Sequence, residues 1–158
     1  MKRGVVVIAL AACGSSSGGA DAVHADPCSV QLSGALTDSQ TCGTARMSWM
    51  SSSNASQFTL NLTTSSPVVQ ISIGFPGKPT VGQHVTTGDG GVMVTGDAGM
   101  MWDSTASGGM FDLSFTAVTS TIVSATGTSY VVDGALTATV PAASGTGASG
   151  TVMLSAMF

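Results

Sequence analysis

Val69-Gln-Ile-Ser-Ile-Gly-Phe75 alternates a large apolar residue with a polar or small one along its whole length. Successive side chains leave a strand on opposite sides, so a period of two marks a strand with one buried face. The same alternation recurs elsewhere. Phe58, Leu60 and Leu62 oppose Gln57, Thr59, Asn61 and Thr63. Phe111, Leu113, Phe115 and Ala117 oppose Asp112, Ser114 and Thr116. Val132, Gly134, Leu136, Ala138 and Val140 oppose Asp133, Ala135, Thr137 and Thr139. Val152, Leu154, Ala156 and Phe158 oppose Met153, Ser155 and Met157.

Weaker runs at 44–50, 81–87, 92–95 and 120–125 predict further strands. Turn-forming residues punctuate the chain at Ser51–Asn54, Pro76–Pro79, Gly88–Gly91, Ser107–Gly109 and Ser144–Gly150. No stretch has the length and period of an amphipathic helix. The sequence therefore predicts an all-β fold, an antiparallel β-sandwich of about 8–10 short strands occupying residues 28–158. About 130 residues support one hydrophobic core and no second domain.

The charge is sparse and one-sided. The chain has four Lys plus Arg against eight acidic residues, all of them Asp. Lys2 and Arg3 lie in the first segment, so the rest of the chain sets Arg46 and Lys78 against the eight Asp, a net charge near −6. Phosphate neutralisation needs clustered cations, which excludes nucleic acid as a partner. The surface is expected to be polar through Ser and Thr hydroxyls.

The N-terminus carries an address. Lys2-Arg3 is a short basic region, Gly4-Val-Val-Val-Ile-Ala-Leu10 an apolar one, and Ala11-Ala12 a pair of small residues before a cysteine. Leu10-Ala11-Ala12-Cys13 resembles the lipobox of bacterial lipoprotein precursors. That resemblance implies a signal peptide at 1–12, cleavage before Cys13, and acylation of the Cys13 sulfur. A transmembrane span fails on length, since nine helical residues reach roughly 14 Å against a hydrocarbon core of about 30 Å. An ordinary secretory signal cut at Ala9-Leu10-Ala11 stays open. Residues 13–27 read as the lipidated cysteine and a flexible Gly/Ser-rich tether. Gly14 and Ser15 lack the Asp that favours inner-membrane retention in enterobacteria, so the resemblance implies the outer membrane. The membrane is then a partner through the lipid, with an envelope protein or glycan as the expected further partner. Lys78–His84, Asp133–Val140 and Gly150–Phe158 also loosely resemble segments of small bacterial lipoproteins, which assigns no activity.

Three cysteines in an exported chain need an explanation. With Cys13 taken by lipid, Cys28 and Cys42 remain as a pair in an oxidising compartment. A hairpin of 29–33 against 37–41, turning at Gly34-Ala35-Leu36, pairs residues whose numbers sum to about 70, as 28 and 42 do. A disulfide between Cys28 and Cys42 is therefore expected.

Catalytic machinery is thin. Gly14–Gly18 fits G-x-S-x-G, but the motif needs a strand before it and a helix after it, and here it lies in the tether. His84 is the one histidine in the domain available as a general base. Asp89, Asp97 and Asp103 are weak candidates for Ca²⁺, with His84 a further weak metal candidate. Met47, Trp49 and Met50, with Met100, Met101 and Trp102, allow a Cu(I) alternative, because thioethers are soft ligands. Val152–Phe158 resembles the closing strand of outer-membrane barrels, yet two Trp and one Tyr cannot supply aromatic girdles. The expectation is a lipid-anchored envelope protein without catalytic residues or cofactor, a structural or binding module. A periplasmic metal-binding protein is the alternative and a hydrolase the third choice.

Overall fold

The computed structural model describes residues 28–60, 62 and 67–158. The expected signal peptide, tether and lipidated Cys13 lie outside the described residues, as do Asn61 and Thr63 of the run beginning at Gln57. Among the described residues, eleven strands follow one another, with one 3-10 turn at Asp97–Gly99. They are β1 (Ser29–Gly34), β2 (Asp38–Thr41), β3 (Arg46–Met50), β4 (Ala55–Leu60), β5 (Val68–Pro76) and β6 (His84–Val85). The rest are β7 (Asp89–Thr95), β8 (Met101–Asp103), β9 (Met110–Val123), β10 (Gly127–Pro141) and β11 (Thr151–Met157). Every pairing is antiparallel. No helix among the described residues is long and apolar enough to cross a membrane.

The long strands β9 and β10 organise the sandwich. One edge of β10 carries β3 along Gly127–Val131 and β11 along Ala135–Pro141. Its other edge carries β9 from Thr128 to Thr139. The sheet therefore divides at the middle of β10. One layer runs β2-β1-β11-β10-β9-β6, and the other continues from β10 through β3, β4, β5 and β7 to β8. Two register shifts in β9, at Thr116 and Thr121, mark β-bulges where the hairpin bends between the layers. The ends are stitched as well. Trp102 of β8 bridges Ala142 just past β10, and Cys42 bridges Leu62 beyond β4.

The alternating apolar residues meet between the layers. Val69, Ile71, Ile73 and Phe75 of β5 are buried, as are Val152, Leu154, Ala156 and Phe158 at the C-terminus. Phe58 crosses the gap, with its ring centroid 5.1 Å from Phe158 and 6.2 Å from Phe115. Phe75 packs 6.0 Å from Phe115. Burial of this kind is the main favourable term in folding. The last strand thus turns its apolar side inward, opposite to the polar lumen of a membrane barrel.

Polar residues cover most of the outside, with Met110, Met153 and Met157 exposed among them. Across the first layer, register sets Asp112, Thr137, Ser155, Gln31 and Ser39 in one row. A second row holds Met110, Thr139, Met153 and Ser33.

The first hairpin has the expected register: Ser29 faces Thr41, Val30 faces Gln40, and Cys28 is disulfide-bonded to Cys42. One expectation is corrected. Gly88–Gly91 is not a turn, because Asp89, Gly90 and Gly91 begin β7 and pair with Gly74, Ile73 and Ser72. The glycines admit close neighbours there: a Cβ on Gly88 would meet the Gly74 carbonyl oxygen at 2.1 Å. The turn lies earlier, between β6 and β7. The run 81–87 shortens to the two residues of β6, and 111–117 joins 120–125 in the single bent strand β9.

Candidate functional site

The metal candidates do not converge. Asp89 opens β7 and Asp97 follows its far end, so seven strand residues hold them roughly 20 Å apart. Asp103 is engaged locally, its Oδ1 accepting hydrogen bonds from the Thr105 amide and hydroxyl, both at 2.8 Å. Asp89 instead lines a groove of about 360 Å³ with Asn54 and Gln57. Among the described residues, no three of His, Cys, Asp and Glu gather as a metal-binding group. The methionine candidates separate too. Met47 is in the core and Met50 on the outer face of β3, while Trp102 is buried and donates its indole N–H to the Ser149 carbonyl at 3.2 Å.

His84 has a partner that periodicity does not reveal. Its Nδ1 lies 3.0 Å from Asp112 Oδ1, and Ser114 stands directly opposite it on β9. A serine, a histidine and a carboxylate therefore share one outer face. The geometry is not that of an activated nucleophile, which needs its hydroxyl turned toward the base. Ser114 donates its hydroxyl to the Ala135 carbonyl at 3.3 Å instead. The His84 and Asp112 side chains are 63% and 46% exposed, on an open sheet face where bulk water competes for each hydrogen bond.

The opposite layer carries a different feature. A groove of about 470 Å³ crosses the outer face of β9, β10, β3 and β4. Register builds its floor: Val131, Arg46 and Thr59 form one row, and Ile122, Ser129, Ser48 and Gln57 the next. The wall comes from the bulge in β9. Ser129 pairs with Ile122 and Tyr130 with Ser120, leaving Thr121 as the extra residue, whose hydroxyl donates to the Ser129 carbonyl at 3.2 Å. A bulge raises local twist and re-aims side chains, and here it brings Thr121 and Ile122 to the groove.

Arg46 gives this groove its charge. Lys78, the other cation among the described residues, lies over the Trp49 ring at 4.3 Å, and the Trp49 indole donates to Asn54 Oδ1 at 3.2 Å. Arg46 makes no ion pair within 4.0 Å and no side-chain hydrogen bond among the described residues. By register, Asp133 stands two residues along β10 from Val131, the residue facing Arg46, and forms no ion pair with it. A guanidinium presents five donors in a planar fork that matches a carboxylate.

No family model, curated protein or solved structure matches the chain.

His84 stands out in the sequence, but Asp112 as its partner does not, and neither does Arg46 or its groove. The signal for Arg46 was its isolation: one cation amid neutral Ser, Thr and Gln in an acidic chain. The signal for Asp112 was its place on the polar side of an alternating strand, but which strand lies beside it depends on topology.

Proposed function

We propose that the protein is a lipid-anchored module of the bacterial cell envelope that binds a ligand in the Arg46 groove and performs no catalysis. The observation that carries the binding half is the unpaired guanidinium of Arg46 in a groove bordered by Ser48, Gln57, Thr59 and Ser129. No carboxylate among the described residues pairs with this guanidinium, so its five donors stay open to an external anion. The lipobox-like Leu10-Ala11-Ala12-Cys13 supports the anchor, and Gly14-Ser15 supports outer-membrane delivery. Two or three acyl chains hold a protein on a bilayer stably, where one does not. The disulfide between Cys28 and Cys42 suits an oxidising envelope compartment and leaves Cys13 for the lipid.

Fractionation tests the anchor and turnover tests the absence of catalysis. The wild-type protein partitions with membranes, and Cys13→Ser releases it to the soluble fraction. Hydrolysis of an ester or glycoside that is lost in His84→Ala would overturn the non-catalytic assignment.

A further inference from the structure

We infer that the Arg46 groove recognises a saccharide bearing a single carboxylate, a uronic acid unit within an envelope or environmental glycan. The inference rests on the groove being the binding site and assigns its ligand class. Three features of the groove lead to it.

Charge comes first. One guanidinium lies in the groove, with no second cation and no metal group among its lining residues. A monoanion balances one guanidinium, whereas a phosphate monoester near neutral pH brings close to two charges and leaves the excess beside an acidic protein. A planar carboxylate also matches the two parallel N–H groups of the fork.

Hydrogen bonding comes second. Around Arg46, the hydroxyls of Ser48, Thr59 and Ser129 border the same groove. Each hydroxyl both donates and accepts, as a ring of sugar hydroxyls requires. Gln57 lines the groove as well, but its amide turns toward β5, with Nε2 donating to Ser72 Oγ at 2.8 Å and Oε1 beside Gly74. Ile122 adds an apolar flank, 67% exposed, against which the C–H face of a sugar ring can lie.

Backbone access comes third, and it argues against a peptide. Extended peptides gain affinity by adding a strand to a free sheet edge. The groove floor instead crosses β10, β3 and β4, each hydrogen-bonded on both sides, and the free edge of β9 along Val118–Val123 lies at the rim and not over the floor. Over that floor, a ligand meets side chains alone.

The experiment uses the full-length protein in detergent, titrated with the methyl glycoside of galacturonate, which carries one carboxylate, and with its methyl ester while amide NMR signals and heat are recorded. The ester keeps the sugar and removes the charge. The acid should bind at least about tenfold more tightly than the ester, the usual scale for a charge-assisted hydrogen-bonded pair. Signals of Ser48, Gln57 and Ser129 should move. Arg46→Gln should lose the same factor with an unchanged Tm, because the Arg46 side chain makes no hydrogen bond or ion pair among the described residues, and Arg46→Lys should recover only part of it. Acetate should bind far more weakly than the acid sugar; equal binding would reduce the site to an adventitious anion and overturn the inference. Equal binding of acid and ester with the same signals moving would overturn the carboxylate specificity while leaving groove binding in place. No binding of either sugar would overturn the ligand class, and an unchanged affinity in Arg46→Gln would place the binding elsewhere.

Discussion

Cys28 and Cys42 are joined across the base of the first hairpin, with Cα atoms 5.0 Å apart and a sequence separation of 14. The backbone agrees with the bond, since the Cys42 amide donates to the Cys28 carbonyl at 3.0 Å. Cys42 also bridges Leu62, so the same residue ties the β1–β2 hairpin to the far layer.

Replacing both cysteines by serine should therefore lower unfolding free energy by about 3 kcal/mol, the loop-closure value for a ring of this size. Chemical denaturation of the double variant measures it. A reducing agent should lower wild-type stability by a similar amount and leave the variant unmoved. Equal stability of the two proteins would show that the hairpin holds without the crosslink.

A second prediction concerns the place where the layers part. Gly134 sits at the junction of the β3 and β11 pairings, and a Cβ there would lie 2.0 Å from the Ser114 carbonyl oxygen and 3.1 Å from Phe158. The residue is paired on both sides, with the Gly134 amide donating to the Phe158 carbonyl at 2.6 Å. Gly134→Ala should cost on the order of 1–3 kcal/mol through backbone displacement. Gly77→Ala is the control: its φ of +83° disfavours a side chain, but nothing lies within 4 Å of the added Cβ. That variant should cost only about 1 kcal/mol, and thermal melts of the pair separate crowding from conformational strain.

Metal ions provide the third. Ligand binding to the native state raises stability by RT ln(1 + [L]/Kd), about 2.7 kcal/mol at a hundredfold excess over Kd. With Asp89 and Asp97 held at opposite ends of β7, and Asp103 engaged by Thr105, neither Ca²⁺ nor Cu(I) should shift Tm. A clear upward shift with either ion, abolished in His84→Ala or Asp103→Ala, would revive the metal-binding alternative.

Much of the fold was legible because it depends on local alternation. The odd-numbered residues from Val69 to Phe75 and the even-numbered ones from Val152 to Phe158 announce their buried faces directly. The hairpin register followed from cysteine spacing. The bent hairpin did not, for a physical reason: an extra residue at Thr116 and another at Thr121 shifts the period-two phase within β9. A strand that changes phase looks like two strands or like none. β8 is three residues long, too short to show any period. Gly88–Gly91 misled because glycine marks turns and also marks close backbone approach, and only the neighbouring strand distinguishes the two. The groove was hidden for a related reason, since residues 46, 57, 122 and 129 become neighbours only through strand order.

The lipid anchor is the claim on which the envelope assignment turns, and intact mass of the protein extracted from membranes tests it most directly. The expected mass is that of a chain beginning at Cys13, carrying two or three acyl chains and lacking the two hydrogens of the Cys28–Cys42 disulfide. A mature chain that begins elsewhere, or one that carries Cys13 without lipid, would contradict it.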